Sequence, residues 1–388
     1  MFQLPVYLDH NSTTPCDPRV VEEMLPYFSE KFGNAASRTH SLGWIAEEAV
    51  ETARLQLARL INADKTEIVF TSGATESDNL ALKGVFENYA FKGNHIITAT
   101  TEHKAVLDTC KHIEKLGGEI TYLKVDHDGR INVDELEKNI RPTTILIAIM
   151  YANNETGVIQ PIKEISTIAK KNGVLFFCDA AQAAGKIKID VIEDGIDLLA
   201  FTAHKIYGPK GIGALYVRRK DPRVKITAQI DGGGHENNMR SGTLNVPGIV
   251  GLGKACELCE REMIPESIRL NMLRNKLEQQ LLQQEDVFIN GSVEHRLPHV
   301  TNLYFRNVNA GRLMTSFSKS VAASSGSACT SALVEPSYVL KALGMSDERG
   351  SNSLRLGLGR FTTGEEIEYA AKEIAKSVQK LRSELSVL

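Results

Sequence analysis

Short apolar segments alternate with amphipathic helical segments between residues 67 and 217, and this alternation limits the folds open to the chain. The runs at 144–150 and 198–201 are almost wholly apolar. Strands that are apolar on both sides must be covered on both faces, as in a parallel sheet with helices above and below it. We therefore predict an α/β fold with a mostly parallel sheet. The seven predicted strands are Glu67–Phe70, Ile96–Thr98, Tyr122–Val125, Thr144–Met150, Val174–Cys178, Leu198–Thr202 and Gly213–Val217.

The pattern changes from about Cys256, where a long charged helical stretch is followed by two strand-like runs, a serine- and glycine-rich loop and a final helix from Gly364. A chain of 388 residues is too long for one small core and suits a large domain with a smaller one. The predicted limits are 15–255 for the large domain, and 1–14 together with 256–388 for a smaller α+β domain.

The composition excludes several classes of protein. Hydrophobic residues make up 42% of the chain and charged residues 24%, an ordinary balance for a globular protein. The net charge of -3 gives no reason to expect binding to nucleic acid or to an anionic membrane. No apolar run approaches the ~20 residues that span a bilayer. The six cysteines have no disulfide-framework spacing and no signal-like region precedes them, so a cytoplasmic location is expected.

Lys205 follows the apolar run 198–201 and lies among glycines and small residues. A lysine there either keeps its ammonium group in water, as most lysines do, or is held against a reactive group. A desolvated lysine has a lowered pKa and becomes an amine nucleophile. Thr202 and His204 offer polar contacts on either side, which favours the second interpretation.

Further polar residues follow other predicted strands. Asp179 comes directly after 174–178, where a carboxylate needs a cationic partner unless it only caps the next residues. Residues 71–75 lie between a strand and a helix, where amides and hydroxyls bind a phosphate or simply cap the helix. His103 and Asn154 follow two more strands, and a single histidine there is more often structural. Ligands in such sheets bind beyond the carboxyl ends of the strands, so these residues are expected at one edge.

Taken together, these features are more specific than each is alone. A phosphate loop, a histidine for an aromatic ring, a carboxylate for a pyridine nitrogen and a later lysine are what pyridoxal phosphate (PLP) requires of a protein. The chain resembles the fold-type I PLP enzymes of the class V aminotransferase family, and within it the cysteine desulfurases of iron–sulfur cluster assembly. The segments that carry the resemblance are 7–14, 71–79, 101–104, 153–155, 179–182, 203–205, 232–236, 240–243 and 324–332.

The resemblance implies a role for each matching residue. Lys205 would be joined covalently to the cofactor and would later move the α-proton. Asp179 would pair with the pyridine nitrogen, Gln182 would reach the ring hydroxyl, and His103 would stack on the ring. The other cofactor contacts would come from Ala74, Thr75, Asn154, Thr202 and His204, and from Thr243 of the partner subunit in a homodimer.

The resemblance also implies a substrate site and a sulfur carrier. Arg355 and Asn154 would orient the substrate, because a guanidinium grips an α-carboxylate with two hydrogen bonds, and Asn34 would also touch it. Cys329 lies in a run of small residues, 322–332, that is too poor in apolar bulk to pack and predicts a mobile loop. Its thiolate would take sulfur from L-cysteine as a persulfide, and L-alanine would leave. The acceptor would be an iron–sulfur scaffold protein or another protein, such as one that serves tRNA thiolation.

Two other functions stay open at this point. A selenocysteine lyase or another class V aminotransferase would keep Lys205 and its neighbours but would not need Cys329. A non-enzymatic sulfur-transfer or assembly component would be expected to have lost Lys205 or Asp179, and both are present. No metal site is expected, because Cys256 and Cys259 form a single C-x-x-C pair in a predicted helix and are interpreted as packing residues.

Overall fold

The structure is a computed structural model that describes residues 2–325 and 336–385. Its strands are β1 (Val6–Tyr7), β2 (Ile68–Thr71), β3 (His95–Ala99), β4 (Glu119–Leu123), β5 (Thr144–Ala148), β6 (Leu175–Asp179), β7 (Leu198–Thr202), β8 (Gly213–Val217), β9 (Val287–Ile289), β10 (Val300–Phe305), β11 (Val321–Ala322) and β12 (Ser353–Gly357). Its helices are α1 (Pro18–Met24), α2 (Pro26–Ser29), α3 (Ser41–Leu60), α4 (Ala74–Asn88), α5 (Lys104–Lys115), α6 (Val133–Lys138), α7 (Ile162–Lys171), α8 (His235–Asn238), α9 (Val246–Leu281), α10 (Ala310–Phe317), α11 (Tyr338–Ala342), α12 (Asp347–Ser351) and α13 (Gly364–Leu385).

The large sheet contains seven strands in the order β2-β8-β7-β6-β5-β3-β4. β8 runs antiparallel to both of its neighbours, and the remaining pairs are parallel. The prediction of a mostly parallel α/β sheet is therefore confirmed. The parallel strands all end at one edge of the sheet, which is where ligands bind in folds of this kind.

Neighbouring residues of the central strands point to opposite faces and enter separate cores. Phe176 of β6 packs in a core with Leu57 of α3 and Ile249 of α9. The next residue, Phe177, packs on the other face with Val85 of α4. Full burial of one such side chain contributes about 1.5–3 kcal/mol. Burial on both faces explains the continuous apolar runs, and it fixes the strand ends that carry the candidate site.

A third core lies beside the antiparallel sheet β12-β10-β9. It contains Leu303 of β10, Leu354 of β12 and Ile374 of α13. β1 pairs in parallel with β11, so the N-terminal segment packs with this part of the fold. α9 contributes residues to this core and to the core that contains Phe176, and the predicted domain boundary at 255 falls inside this helix. The domain limits stay a prediction.

Several predicted limits differ by one or two residues, and β4 and α9 differ most from the sequence expectation. β4 spans Glu119–Leu123 rather than 122–125, because this edge strand pairs with β3 from its first residue onwards. It is only partly buried, so it lacks the apolar run that marks the central strands. α9 begins at Val246, well before Cys256, with Asn245 as the N-cap. Its first turns are buried on several sides, so the amphipathic pattern of a surface helix is missing there.

Cys256 and Cys259 are fully buried in the core that α9 shares with the large sheet. The interpretation of these two cysteines as packing residues is confirmed. Among the described residues, no helix combines the length and the apolarity needed to cross a membrane.

Candidate active site

A cleft of about 510 Å³ opens at the carboxyl edge of the large sheet. Segments that follow β2, β6 and β7 line it, together with residues 11–13 of the N-terminal segment and Arg355 of β12. Both parts of the fold therefore contribute to its walls. The predicted site residues that line this cleft are Ala74, Thr75, His103, Asn154, Asp179, Gln182, Thr202, His204, Lys205 and Arg355.

Lys205 enters the cleft directly after β7, at the end of a short 3-10 turn that begins at Ala203. Its Nζ donates hydrogen bonds to the carbonyl oxygens of Asn11 and Ser12, the latter at 2.7 Å. The N-terminal segment is fixed beside β7 as well, because the Thr14 N–H donates to the His204 carbonyl oxygen at 2.9 Å. The amine is thus partly buried and held within the cleft by polar groups.

Asp179 is the last residue of β6 and is only 6% exposed. Its Oδ1 accepts a hydrogen bond from the Ala181 N–H at 2.9 Å. Burial raises the pKa of Asp179, while the Ala181 amide and the charges of His103 and Lys205 oppose that rise. A cation placed beside this buried carboxylate would be strongly favoured, so the site suits a protonated ring nitrogen.

Two further buried carboxyl groups interact with Asp179. Asp78 of α4 is fully buried, and neither of its carboxyl oxygens has a hydrogen-bond partner among the described residues. Burial raises the pKa of Asp78 well above its ordinary value, and the charges of Asp179 and Glu102 raise it further. Burial also raises the pKa of Glu102, although its oxygens accept from the Met150 N–H at 2.9 and 3.1 Å. Asp78 and Glu102 therefore favour the neutral acid.

Sequence reasoning missed these two carboxyl groups. An acidic residue in the first turns of a helix normally indicates a surface side chain that complements the helix dipole. Nothing in the local sequence around Asp78 distinguishes a buried position from an exposed one. Only the packing of α4 against the central strands reveals its burial.

The loop between β2 and α4 has the features of an anion site. No described side chain caps the N-terminus of α4, so its first N–H groups are available to an anion. Gly73 has a φ of 153°, a conformation that side chains rarely permit, and it lies close to the Thr202 hydroxyl. Burial lowers the pKa of His204 to about 4, assisted by the charges of Lys205 and Lys210. A neutral His204 can donate one N–H to a ligand here.

Arg355 approaches the cleft from the small sheet. Its Nη2 donates to Asp9 Oδ1 and to Ser12 Oγ, both at 2.8 Å, and its Nη1 donates to the Asn154 carbonyl oxygen at 3.1 Å. Its Nε is buried without a hydrogen-bond partner in the described part of the chain, and so is Asn154 Oδ1. These two polar atoms keep hydrogen-bonding capacity that no described residue uses.

The N-terminal run 7–14 supplied a family motif in the sequence analysis, but no role in the site was predicted for its residues. Asn11 Nδ2 lies 3.4 Å from Gln182 Oε1 and donates to it, and Gln182 Nε2 donates to the Asn11 carbonyl oxygen at 3.0 Å. Asn11 Nδ2 also donates to the carbonyl oxygen of Asn154 at 3.3 Å. The run 7–14 was the available signal, but no local pattern shows which residues it meets.

Two predicted residues that the structure describes do not line this cleft, and a third is not described. Asn34 is exposed, and its Oδ1 accepts from the Ala36 N–H at 2.9 Å. Thr243 is exposed in the segment before α9 and does not line the cleft of its own chain. Cys329 lies outside the described residues.

The sheet order, the small α+β unit and the lysine that follows β7 define a protein of the fold-type I class. The family model described as Aminotransferase class-V matches residues 6–370. The chain therefore belongs to the class V aminotransferase family, as its sequence motifs predicted.

Within this family, the chain is similar to proteins named cysteine desulfurase. The protein is 54% identical to Cysteine desulfurase IscS of Anaeromyxobacter dehalogenans, over 98% of this chain and 94% of that protein. It is 56% identical to Cysteine desulfurase IscS of Photorhabdus laumondii, over 100% of this chain and 95% of that protein.

Solved structures agree with this result. A NifS-like protein has a TM-score of 0.90 at 36% identity, covering 97% of this chain and 100% of that one. SspA in complex with cysteine has a TM-score of 0.81 at 36% identity, covering 92% of this chain and 100% of that one. The predicted fold-type I architecture is confirmed by these likenesses.

Proposed function

We propose that this protein is a PLP-dependent cysteine desulfurase that converts L-cysteine to L-alanine and donates the sulfur for iron–sulfur cluster assembly. The observation that carries this proposal is the 54–56% identity to proteins named cysteine desulfurase, over nearly the whole length of both chains. The cleft adds the chemistry, because Lys205 and Asp179 both face it from the ends of neighbouring strands.

The groups in the cleft fit PLP. A buried carboxylate at Asp179 suits a protonated pyridine nitrogen, and the uncapped N-terminus of α4 suits a phosphate. Lys205 supplies the amine for a covalent link to the aldehyde, and His103, which lines the same cleft, is assigned to the face of the ring. Further phosphate contacts come from Ala74, Thr75, Thr202 and His204, with Thr243 of the partner subunit, and Gln182 serves the ring hydroxyl.

When bound, PLP withdraws electrons from the α-carbon of the amino acid joined to it. Asp179 keeps the ring nitrogen protonated, which this chemistry requires. Arg355 and Asn154 orient the substrate carboxylate, and Asn34 is assigned to the same substrate. Lys205 takes the α-proton and returns protons to the product carbon. Each step needs these groups to be fixed before substrate arrives, and the buried strand ends do this for Asp179 and Lys205.

Cys329 is the proposed sulfur acceptor. Its thiolate forms a bond to the substrate sulfur as the carbon–sulfur bond of the substrate breaks. Cys329 then holds a persulfide, and the substrate carbon gains a proton and leaves as the methyl group of L-alanine. The two sulfur atoms are oxidised to the persulfide level while the substrate carbon is reduced, so no external oxidant or reductant is needed.

The proposal includes a homodimer and a protein acceptor. Large apolar side chains are exposed around α1, α2 and the start of α3, namely Leu25, Phe28, Phe32 and Trp44. A group of such residues on a folded protein marks a contact with another protein. Thr243 is exposed and is not among the described residues that line the active-site cleft of its own chain, which supports a shared site. The acceptor is assigned to an iron–sulfur scaffold protein, with a tRNA-thiolation protein as a further recipient, and the location to the cytoplasm.

Product analysis tests the proposal. The purified holoenzyme is given L-cysteine with a thiol reductant, and alanine and sulfide are measured against time. Equal amounts of alanine and sulfide are expected. Selenocysteine is tested as the substrate in a parallel reaction. Release of alanine from selenocysteine alone, with none from cysteine, would replace the desulfurase by a selenocysteine lyase.

A further inference from the structure

We infer that the ion pair between Arg240 and Glu76 positions the segment that carries Thr243, and so sets the phosphate site of the partner subunit together with that of its own chain. This inference rests on the proposed function, because it requires a dimer in which Thr243 reaches the partner's cofactor. Arg240 and Glu76 are positioning residues here, since neither is assigned a contact with the reacting atoms. We call residues 231–243 the Thr243 segment.

The Thr243 segment has a backbone that does not hold its shape without outside support. Gly232, Gly233 and Gly234 have φ values of 121°, 78° and 68°. They are followed by Glu236, Asn237 and Asn238, whose φ values of 49°, 58° and 65° are left-handed although the residues are not glycines. Such conformations persist only where the surrounding structure imposes them. The contacts of this segment therefore decide where Thr243 lies.

The first such contact is the buried carboxylate of Glu236. It forms two hydrogen bonds with the Arg54 guanidinium, at 2.7 and 2.9 Å, and also accepts from the Phe70 N–H at 2.8 Å. Arg54 in turn donates to the Ile68 carbonyl oxygen at 2.7 Å. The segment is thereby fastened to β2, the strand that leads into the phosphate loop.

The second contact is the Arg240–Glu76 pair. Arg240 Nε donates to Glu76 Oε1 at 2.8 Å, and Arg240 Nη2 donates to Glu76 Oε2 at 3.4 Å. Glu76 Oε2 also accepts from the Ser72 N–H at 2.9 Å, within the loop assigned to the phosphate. Burial opposes ionisation, but the hydrogen bonds from Arg240 and Ser72 keep the pKa of Glu76 below its ordinary value. One carboxylate thus holds the chain's own phosphate loop and the Thr243 segment at the same time.

The geometry on the far side of Thr243 completes the support. Asn245 caps α9, with its Oδ1 accepting from the Gly248 N–H at 3.2 Å. Thr243 is therefore exposed between two fixed points, Arg240 and the start of α9. A shift at Glu76 moves the phosphate loop of its own chain, and through Arg240 it moves the threonine offered to the partner.

Mixed dimers test this arrangement. One subunit carries Lys205→Ala, so only the other subunit holds the cofactor covalently and reports its dissociation constant by absorbance. Arg240→Gln is then placed in the Lys205→Ala subunit. We expect the dissociation constant of the intact site to rise by about three- to tenfold, the effect of losing one partly buried ion pair. Arg240→Lys, which keeps the charge, should recover part of the loss.

Three companion dimers make the result decisive. Thr243→Ala in the Lys205→Ala subunit must weaken the intact site; if it does not, the shared site of the proposed function is wrong. If Thr243→Ala weakens that site while Arg240→Gln and Glu76→Gln leave it unchanged, only the present inference is overturned. Arg141→Gln, which removes a surface pair with Glu119 at 2.7 Å, is the matched control and should change nothing. Sedimentation and thermal melting establish that each variant is folded and dimeric. If the Arg240→Gln dimer is not, the dissociation constant of the Arg240→Lys dimer is used to test the inference instead.

Discussion

The two sides of the cleft are built in different ways. The side assigned to the cofactor consists of strand ends and the loops next to them: Asp179 ends β6, and Lys205 follows the adjacent parallel strand β7. The side assigned to the substrate is assembled from distant parts of the chain, since Arg355 is held by Asp9 and Ser12. The first side is fixed by the buried sheet, whereas the second depends on how the small unit and the N-terminal segment meet. Substitutions on the two sides should therefore fail in different ways.

The largest effect is expected from Lys205→Ala on the cofactor side. No other amine is assigned to bond with the aldehyde, so borohydride reduction should leave no cofactor attached to the chain, and activity should be lost. Peptide mapping after reduction measures this. Lys210→Ala is the matched control, because Lys210 also lines the cleft, and it should keep the label. If the reduced cofactor were attached to a residue other than Lys205, Lys205 would not be the residue that binds the cofactor covalently.

Asp179→Asn should come next. The amide keeps the shape and an acceptor for the Ala181 N–H, but it cannot stabilise a positive ring nitrogen. Removing one partner of a buried pair costs about 3–5 kcal/mol, so kcat should fall by roughly two to four orders of magnitude.

Asp197→Asn is the control for this change. Asp197 is also buried, pairs with Arg218 at 3.2 Å and accepts from the Phe176 N–H at 2.9 Å, but it lies at the amino end of β7. It should lower the melting temperature and leave kcat near its original value. Equal loss of kcat in both variants would mean that Asp179 acts only through stability.

A smaller effect is expected on the substrate side from Arg355→Lys. Lysine keeps the charge but loses the two-pronged geometry, and loss of a charged hydrogen bond costs about 1.5–3 kcal/mol. KM for cysteine should rise by about ten- to a hundredfold, while the absorbance of the bound cofactor stays unchanged. Arg296→Lys is the control, because that buried arginine pairs with Glu278 at 2.6 Å away from the cleft. A changed cofactor spectrum in Arg355→Lys would mean that Arg355 also affects cofactor binding, so the two sides of the cleft would not act separately.

Asp78→Asn should have the smallest effect on catalysis, and its effect on stability should depend on pH. Folding raises the pKa of Asp78, so the folded chain binds more protons than the unfolded chain above the ordinary carboxyl pKa of about 3.9. The contribution of Asp78 to stability therefore falls as pH rises from there through its raised pKa. Each unit of raised pKa is worth about 1.4 kcal/mol. The asparagine variant should gain stability over the natural protein at pH 8 and lose that gain near pH 4.

Urea unfolding of the cofactor-free protein at several pH values measures this difference. Asp108→Asn, at an exposed position of α5, is the control and should show no such dependence. A difference for Asp78→Asn that does not vary with pH would mean that the buried carboxyl is not protonated by folding.

The same contrast explains how much the sequence could predict. Leu198–Thr202 and Gly213–Val217 match β7 and β8 residue for residue, because strands buried on both faces have a local apolar signature. Lys205 and Asp179 are recognisable from their positions at strand ends. The edge strand β4 and the first turns of α9 lack that signature, so the predicted limits of these two elements differ from the observed ones.

Long-range features were beyond local reasoning. The contact of Arg355 with Asp9 joins residues from opposite ends of the chain, and no spacing encodes it. The burial of Asp78 follows from helix packing, not from its neighbours in sequence. The roles of Asn34 and Thr243 stay predictions, as neither reaches the cleft of the single chain. Cys329 lies outside the described residues, and its role as sulfur acceptor is inferred from the family motif alone.

Comparison of the natural protein with Cys329→Ser tests the central claim most directly, because it separates cofactor chemistry from sulfur chemistry. Serine is a far weaker nucleophile and cannot hold a persulfide. The variant should bind PLP and respond to cysteine by a spectral change, yet release almost no alanine. Mass spectrometry should find a persulfide on Cys329 in the natural protein and none in the variant. Continued alanine release from cysteine by the serine variant would contradict the account, since Cys329 would then not be the residue that takes the sulfur.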